Sequence, residues 1–224
     1  MILTIANVID PAEHAALLEI ARATKFVDGR ETAGPRLAET KYNTQLSRQS
    51  ASLTEVANLV GAALQRNAQF AAATIPRHMH SLRLARYQAG SRYGTHIDGA
   101  LMQDASLFAR ADLSFTLFLS EPDAYDGGEL SIETGAGDMR FKLPARCLVC
   151  YATGQLHQVL EVTRGERLVV VGWVQSYVRT AEDRTTLWDL AQAIELVHAQ
   201  TGKSRALDLL VKSHSNLMRR WAEP

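Results

Sequence analysis

From about residue 77 to residue 176 the chain reads as short β-rich runs closed by glycine, proline and aspartate: "HSLRLARYQAG", "ADLSFTLFLSEP", "GGELSIET", "MRFKLPARCLVCYA" and "ERLVVVGWVQSYV". Successive side chains of a strand point to opposite faces, and several such strands at close spacing predict a sandwich or barrel of the jelly-roll kind. On both flanks the period lengthens to that of a helix. "DPAEHAALLEIARAT" offers Asp10 as N-cap, Pro11 at the first helical position, and Leu17, Ile20 and Ala21 on one face. "SLTEVANLVGAALQRNAQF" predicts a second helix, opened by Ser52 with Glu55 at capping-box spacing. Between them, "GRETAGPRLAET" at 29–40 is polar and punctuated, hence a loop.

In the tail, Leu187, Leu190, Ala191, Ile194 and Val197 form one apolar stripe, and Leu207, Leu210, Val211, Leu217, Met218 and Trp221 a second. The predicted fold class is α+β. A double-stranded β-helix (jelly-roll) core at about 77–178 carries the N-terminal helices in a domain of residues 1–178. Residues 179–224 follow as a C-terminal helical segment that packs on the barrel or on a second subunit, so a homo-oligomer stays open.

Composition narrows the function classes. The 24 basic and 24 acidic side chains cancel, which leaves no electrostatic footprint for nucleic acid or an anionic membrane. No apolar stretch approaches membrane-spanning length, and "MILTIANVIDPAEH" lacks a basic start and breaks at Asp10 and Pro11, unlike a signal peptide. The two cysteines, Cys147 and Cys150, form a CxxC inside a strand-forming run. Side chains three apart on a strand face opposite ways, so two structural thiols are the simpler reading, and a cytoplasmic protein the expectation.

Candidate chemistry begins at "SRYGTHIDGALM", where His96 and Asp98 stand two apart and on one side of a strand. An HxD triplet alone is weak. "LHQVLEVTRGERLVVVGWVQS" adds His157 and, ten residues on, Arg167. Two imidazoles and a carboxylate on adjacent strands make the facial triad that suits Fe(II) and leaves coordination positions open. Arg167 either sits exposed at the "TRGE" turn or enters the barrel, where burial requires an anionic partner such as a carboxylate. "RHMH", with His78 and His80, has the spacing of a cupin-type site but reads as a solvated strand entrance. "TGKS" at 201–204 lacks the upstream glycine of a phosphate loop, because position 197 is valine. His214 falls on the tail's second stripe and reads as a packed histidine.

Together, "RYQAGSRYGTHIDGA", "DLSFTLFLSEPDAYDGGEL" and "KLPARCLVCYATGQLHQVLEVTRGERLVVVGWVQS" resemble the Fe(II)/2-oxoglutarate-dependent dioxygenases of the prolyl-4-hydroxylase-like group. More closely, they resemble the bacterial PKHD-type hydroxylases, the PiuC family. The resemblance runs through most of the chain, including "FVDGRETAG" and the helical tail.

It implies that His96, Asp98 and His157 ligate Fe(II) and that Arg167 binds the C5 carboxylate of 2-oxoglutarate. Tyr87 or Tyr93 would donate a hydroxyl to the same carboxylate, and ascorbate would be a further cofactor. Gly127, Gly128 and Glu129 belong to the family's GGEL element, where glycine permits close backbone approach. Trp173 and Gln175 would wall the pocket or pack in the core. The implied reaction hydroxylates a C–H bond of a peptidyl proline or an iron-uptake-related small molecule, with release of succinate and CO2. Asp98 argues against a halogenating variant. The competing reading is a non-catalytic iron- or 2-oxoglutarate-responsive binding protein on the same fold. Segments 29–44 and 99–112, aperiodic in sequence, are candidate substrate lids.

Overall fold

The computed structural model describes residues 1–34, 38–104 and 107–223. Strand β1 (Ile2–Ile5) leads into helix α1 (Pro11–Ala23), then β2 (Phe26–Asp28), β3 (Lys41–Tyr42) and β4 (Thr44–Leu46). Helices α2 (Ala51–Arg66) and α3 (Ala68–Thr74) precede the strand-rich region. This holds β5 (Pro76–Gln88), β6 (Arg92–His96), β7 (Leu101–Asp104), β8 (Leu107–Arg110), β9 (Leu113–Phe118) and β10 (Tyr125–Gly127). It continues through β11 (Leu130–Thr134), β12 (Gly137–Phe141), β13 (Leu148–Ala152), β14 (His157–Val159) and β15 (Val162–Ser176). Helices α4 (Ala181–Thr201) and α5 (Arg205–Trp221) close the chain.

All strands but the β7–β8 pair form two antiparallel sheets facing one another, the jelly-roll core predicted. The larger runs β1-β13-β9-β15-β5-β4-β2, with β10 also on β15; the smaller runs β12-β11-β14-β6-β3. Strands from the first 46 residues therefore extend both sheets, an addition the polar N-terminal pattern conceals.

The larger sheet is buried on both faces, and alternation assigns its side chains. Leu84, Leu117, Leu148, Leu168 and Val170 pack with Leu17, Val56, Val60 and Leu64 of α1 and α2. Their neighbours Ala85, Phe118, Val149 and Val169 turn the other way, toward Leu130, Ile132 and Val159 of the smaller sheet. Cys150 faces the helices and Tyr151 the smaller sheet. Burial pushes the Cys150 thiol up to about 12, so it stays protonated, and both cysteines are free thiols.

Helix α1 starts as expected: Asp10 accepts from Glu13 N at 2.8 Å and Glu13 returns a bond to Asp10 N at 2.9 Å. The second helix differs. Its cap is Ser50, whose hydroxyl accepts from Ser52 N at 3.2 Å, so no capping box joins Ser52 to Glu55. It also breaks at Asn67, whose side chain caps α3 through Phe70 N at 2.9 Å. Segment 99–112, aperiodic in sequence, contains the β7–β8 hairpin. "TGKS" is an interhelical turn in which Ser204 caps α5. Val211 departs from its predicted stripe and is exposed. No helix among the described residues is long and apolar enough to cross a membrane.

Candidate metal centre

Strands β6 and β14 are neighbours in the smaller sheet, and their register sets His96 directly opposite His157. The ring centroids lie 4.2 Å apart. Strand β6 ends at His96, so Asp98 reaches the same place from the loop that follows. Asp98 Oδ1 is 3.7 Å from His96 Nε2, and Oδ2 is 3.6 Å from His157 Nε2. Two bonds of about 2.1 Å to a shared ion span at most about 4.2 Å, so both separations fit one cation. Among the described residues this is the one group of three such side chains close enough to hold a metal.

Both imidazoles are oriented by their far nitrogens. His96 Nδ1 donates to Gly94 O at 2.8 Å, and His157 Nδ1 to Gln155 O at 3.0 Å. A carbonyl only accepts, so each Nδ1 carries the proton and each Nε2 presents a lone pair to the centre. Burial, then the neighbouring His157, pulls His96 down to about 4 despite Asp98, which keeps the ring neutral at pH 7. Asp98 Oδ2 accepts from Ser114 Oγ and from Trp173 Nε1, each at 3.0 Å, and Ser114 is itself bonded to Thr153 Oγ1. Tyr93 stacks on His96 with centroids 3.6 Å apart.

The triad opens into a cavity of about 430 Å³ between the sheets. Deep in it lies Arg167, 1% exposed and opposite Tyr87 in the β15–β5 register. The exposed-turn alternative is thereby excluded. The guanidinium carbon is 5.0 Å from the Tyr87 ring centroid and 5.4 Å from that of Phe118. No described carboxylate pairs with it, and its Nε has no hydrogen-bond partner. A buried cation with an orphaned donor is costly unless an anion completes it. With the donor set of the triad, this fits a metal and a chelating carboxylate ligand.

Residues 82–175 match the 2OG-Fe(II) oxygenase superfamily, and residues 182–223 match the PKHD-type hydroxylase C-terminal domain. A PKHD-type hydroxylase of Synechococcus sp. (strain JA-2-3B'a(2-13)) is 43% identical over 223 residues, with both chains fully covered. One from Crocosphaera subtropica is 45% identical over the same span. The chain belongs to the PKHD-type hydroxylases.

Solved structures agree on the fold. A Pseudomonas putida prolyl-4-hydroxylase superposes with TM-score 0.52 and 22% identity over 78% of this chain and 92% of its own. A Trichoplax adhaerens prolyl hydroxylase in complex with a peptide fragment of hypoxia inducible factor gives 0.53 and 14%, over 83% and 86%. This PKHD-type hydroxylase is a 2-oxoglutarate-dependent dioxygenase, and its family implies Fe(II) and 2-oxoglutarate as cofactors.

Of the residues singled out in the sequence, Tyr87, Tyr93, His96, Asp98, His157, Arg167 and Trp173 all line the one cavity; Gln175 does not. His78 and His80 do not join the triad, and His80 is buried rather than solvated, near Arg110 O at 3.3 Å. Gly127 and Gly128 both have positive φ; a Cβ at Gly127 would come 2.0 Å from Glu161 O.

Three residues escaped the pattern. Tyr125 is buried with its hydroxyl beside Arg167: burial raises the hydroxyl's pKa, and the charge and hydrogen bonding of Arg167 oppose it. Lys41 and Gln45 line the cavity from β3 and β4. Burial, then Arg83, lowers the Lys41 ammonium to about 8. Strands of two and three residues are too short to show a period, so the sequence marks Lys41 only as part of the 29–44 lid segment and Gln45 not at all.

Proposed function

We propose that His96, Asp98 and His157 ligate Fe(II), that Arg167 binds the C5 carboxylate of 2-oxoglutarate, and that the enzyme hydroxylates a C–H bond with release of succinate and CO2. Bound together, the metal and co-substrate supply the oxidising power: one oxygen atom of O2 enters the substrate and the other leaves in succinate. The protein supplies geometry. Gly94 O and Gln155 O hold the imidazoles, and Ser114 and Trp173 hold the carboxylate.

The observation that carries the reading is Arg167, a fully buried cation with no carboxylate partner among the described residues, sharing a cavity with a two-histidine, one-carboxylate set. Tyr87, opposite Arg167, is the tyrosine we assign to the co-substrate carboxylate; Tyr93, stacked on His96, belongs to the metal end. Ascorbate enters as an auxiliary reductant. We assign the chemistry to residues 1–178, because no described residue of the 179–224 segment lines the cavity. The substrate class retained from the family is a peptidyl proline or an iron-uptake-related small molecule. Support for the first is that two proteins of this fold carry the name prolyl hydroxylase.

Anaerobic protein given Fe(II) and 2-oxoglutarate is expected to show a weak visible charge-transfer band, and O2 to convert the co-substrate to succinate. A band that persists unchanged in His157→Ala removes the ligand assignment. Screening peptides and metabolites for a mass gain of one oxygen then identifies the substrate.

A further inference from the structure

The cavity has a second charged corner, away from Arg167. Lys41 is 9% exposed, and two of its three N–H donors go to Thr32 Oγ1 at 3.1 Å and Gln45 Oε1 at 3.3 Å. Thr32 Oγ1 also lies 3.1 Å from Gln45 Oε1 and 3.2 Å from Gly29 O, its one hydroxyl proton shared between the two. Gln45 is 1% exposed, and its Nε2 has no partner. Arg48 stands exposed on the cavity's rim without a hydrogen bond or ion pair to a described residue. Asp28, the carboxylate on the outer side, is committed to Arg30 through bonds of 3.0 and 2.9 Å. The unpartnered oxygen nearby, Asn43 Oδ1, packs against Gly29, where a Cβ would lie 1.9 Å from it. What remains toward the cavity is donors.

Charge points the same way. Lys41, Arg48, Arg83 and Arg167 line the cavity, against Asp98 alone among its described carboxylates. Fe(II), a 2-oxoglutarate dianion, Asp98 and Arg167 are neutral as a set. Arg83 is engaged by Ser81 O and Leu82 O at 2.7 and 2.8 Å, and Lys41 and Arg48 are then left over, two positive charges facing the space a substrate must enter. Lys41 is next to the chemistry: it is opposite Tyr93 in the β3–β6 register, with Nζ 5.2 Å from the ring that stacks on His96. Arg83, Asp98, Arg48 and Asp28 are the charges that weigh on it, which sets it apart from the Arg167 end.

We propose that the substrate carries an oxyanion, a carboxylate or phosphate, and that Lys41, Gln45 and Arg48 bind it while the reacting C–H bond faces the triad. This rests on the functional reading above and narrows it to anionic substrates. The oxyanion can belong to a free small molecule or to an acidic side chain of a peptide, and the recognition chemistry is the same.

The test uses full-length protein loaded anaerobically with Fe(II) and 2-oxoglutarate. Calorimetry compares benzoate and phenyl phosphate with the neutral benzamide and phenol, and a glutamate-containing tripeptide with its glutamine analogue. At least one anionic probe should bind tenfold or more tightly than its neutral counterpart, and which one does identifies the source. Lys41→Met and Arg48→Ala should each reduce that affinity about tenfold while 2-oxoglutarate affinity stays within twofold. Lys41→Met removes a buried charge and keeps similar volume, so it should fold; thermal unfolding checks this.

Equal binding of charged and neutral probes, no binding of any anion, or an anion affinity indifferent to both substitutions overturns the proposal. So does a loss of 2-oxoglutarate affinity in Lys41→Met as large as the loss for the anion. Absence of the charge-transfer band in the unmodified protein is a separate failure, that of the metal and co-substrate assignment.

Discussion

The indole nitrogen of Trp173 donates a 3.0 Å hydrogen bond to Oδ2 of Asp98. Together with Ser114 on the same oxygen, it fixes the carboxylate and leaves Oδ1 turned toward His96. Partners that orient a metal ligand typically contribute 10- to 100-fold in metal affinity. Trp173→Phe keeps most of the packing and deletes the donor. An Fe(II) affinity about tenfold weaker is expected, with a further loss in the Trp173→Phe/Ser114→Ala double variant. Metal competition titration decides it; an unchanged double variant refutes the role.

Arg167 separates binding from stability. Truncating one member of a buried charge pair costs about 2–5 kcal/mol, so Arg167→Met should weaken 2-oxoglutarate by at least about thirtyfold with Fe(II) binding kept. Without co-substrate no described carboxylate compensates the buried arginine, and its Nε has no partner. Its replacement by an apolar side chain should therefore leave the melting temperature of the ligand-free protein unchanged or higher. A variant that melts lower yet binds 2-oxoglutarate normally contradicts both halves.

Gly128 is bound to that arginine by space. Its φ is +69°, and a Cβ there would lie 2.8 Å from Val162 Cγ2, 3.1 Å from Arg167 Cδ and 3.1 Å from Tyr125 Cε2. Strain and crowding of this kind each cost about 1–3 kcal/mol. Gly128→Ala should lose stability on that order in denaturant titrations and also weaken 2-oxoglutarate, because Arg167 is among the side chains that must give way, with Val162 and Tyr125. Lost stability with unaltered co-substrate affinity would separate the glycine from the arginine.

Lys41 gives a pH signature. Its ammonium is lowered to about 8 in the folded protein, against 10.5 ordinarily. Between those values the unfolded chain binds the extra proton, so folding stability rises with pH. The gain is at most about 3 kcal/mol and is best read between pH 8 and 10, since buried Tyr87, Tyr93, Tyr125 and Tyr151, all raised, oppose it above that. Stability of the wild type relative to Lys41→Met should climb across this window. Parallel curves refute the buried ammonium.

How much of this was legible in the sequence depends on range. The triad and Arg167 could be read because each sits in a motif; the strand period puts His96 and Asp98 on one side of a strand, but β6 ends at His96 and Asp98 reaches the centre from the loop beyond. The pairing of β1 with β13 joins residues almost 150 positions apart and leaves no local mark. Ser50 and Ser52 are both competent caps, and backbone geometry chose the first. Tyr125, Lys41 and Gln45 gain meaning only from the cavity they border, which no periodicity describes. His80 looked solvated beside Pro76 and Arg77, but β5 begins at Pro76 and carries it inside.

The alternation along β15 has a practical reach. Leu168, Val170 and Val174 belong to the compartment under the helices, while Arg167, Val171 and Trp173 belong to the catalytic one. Deleting one residue near the start of this strand would exchange the two sets and abolish fold and chemistry at once. Point substitution, by contrast, can address either compartment alone. Leu168, Val170 and Val174 are thus handles for tuning robustness, and Arg167, Val171 and Trp173 for retargeting the enzyme.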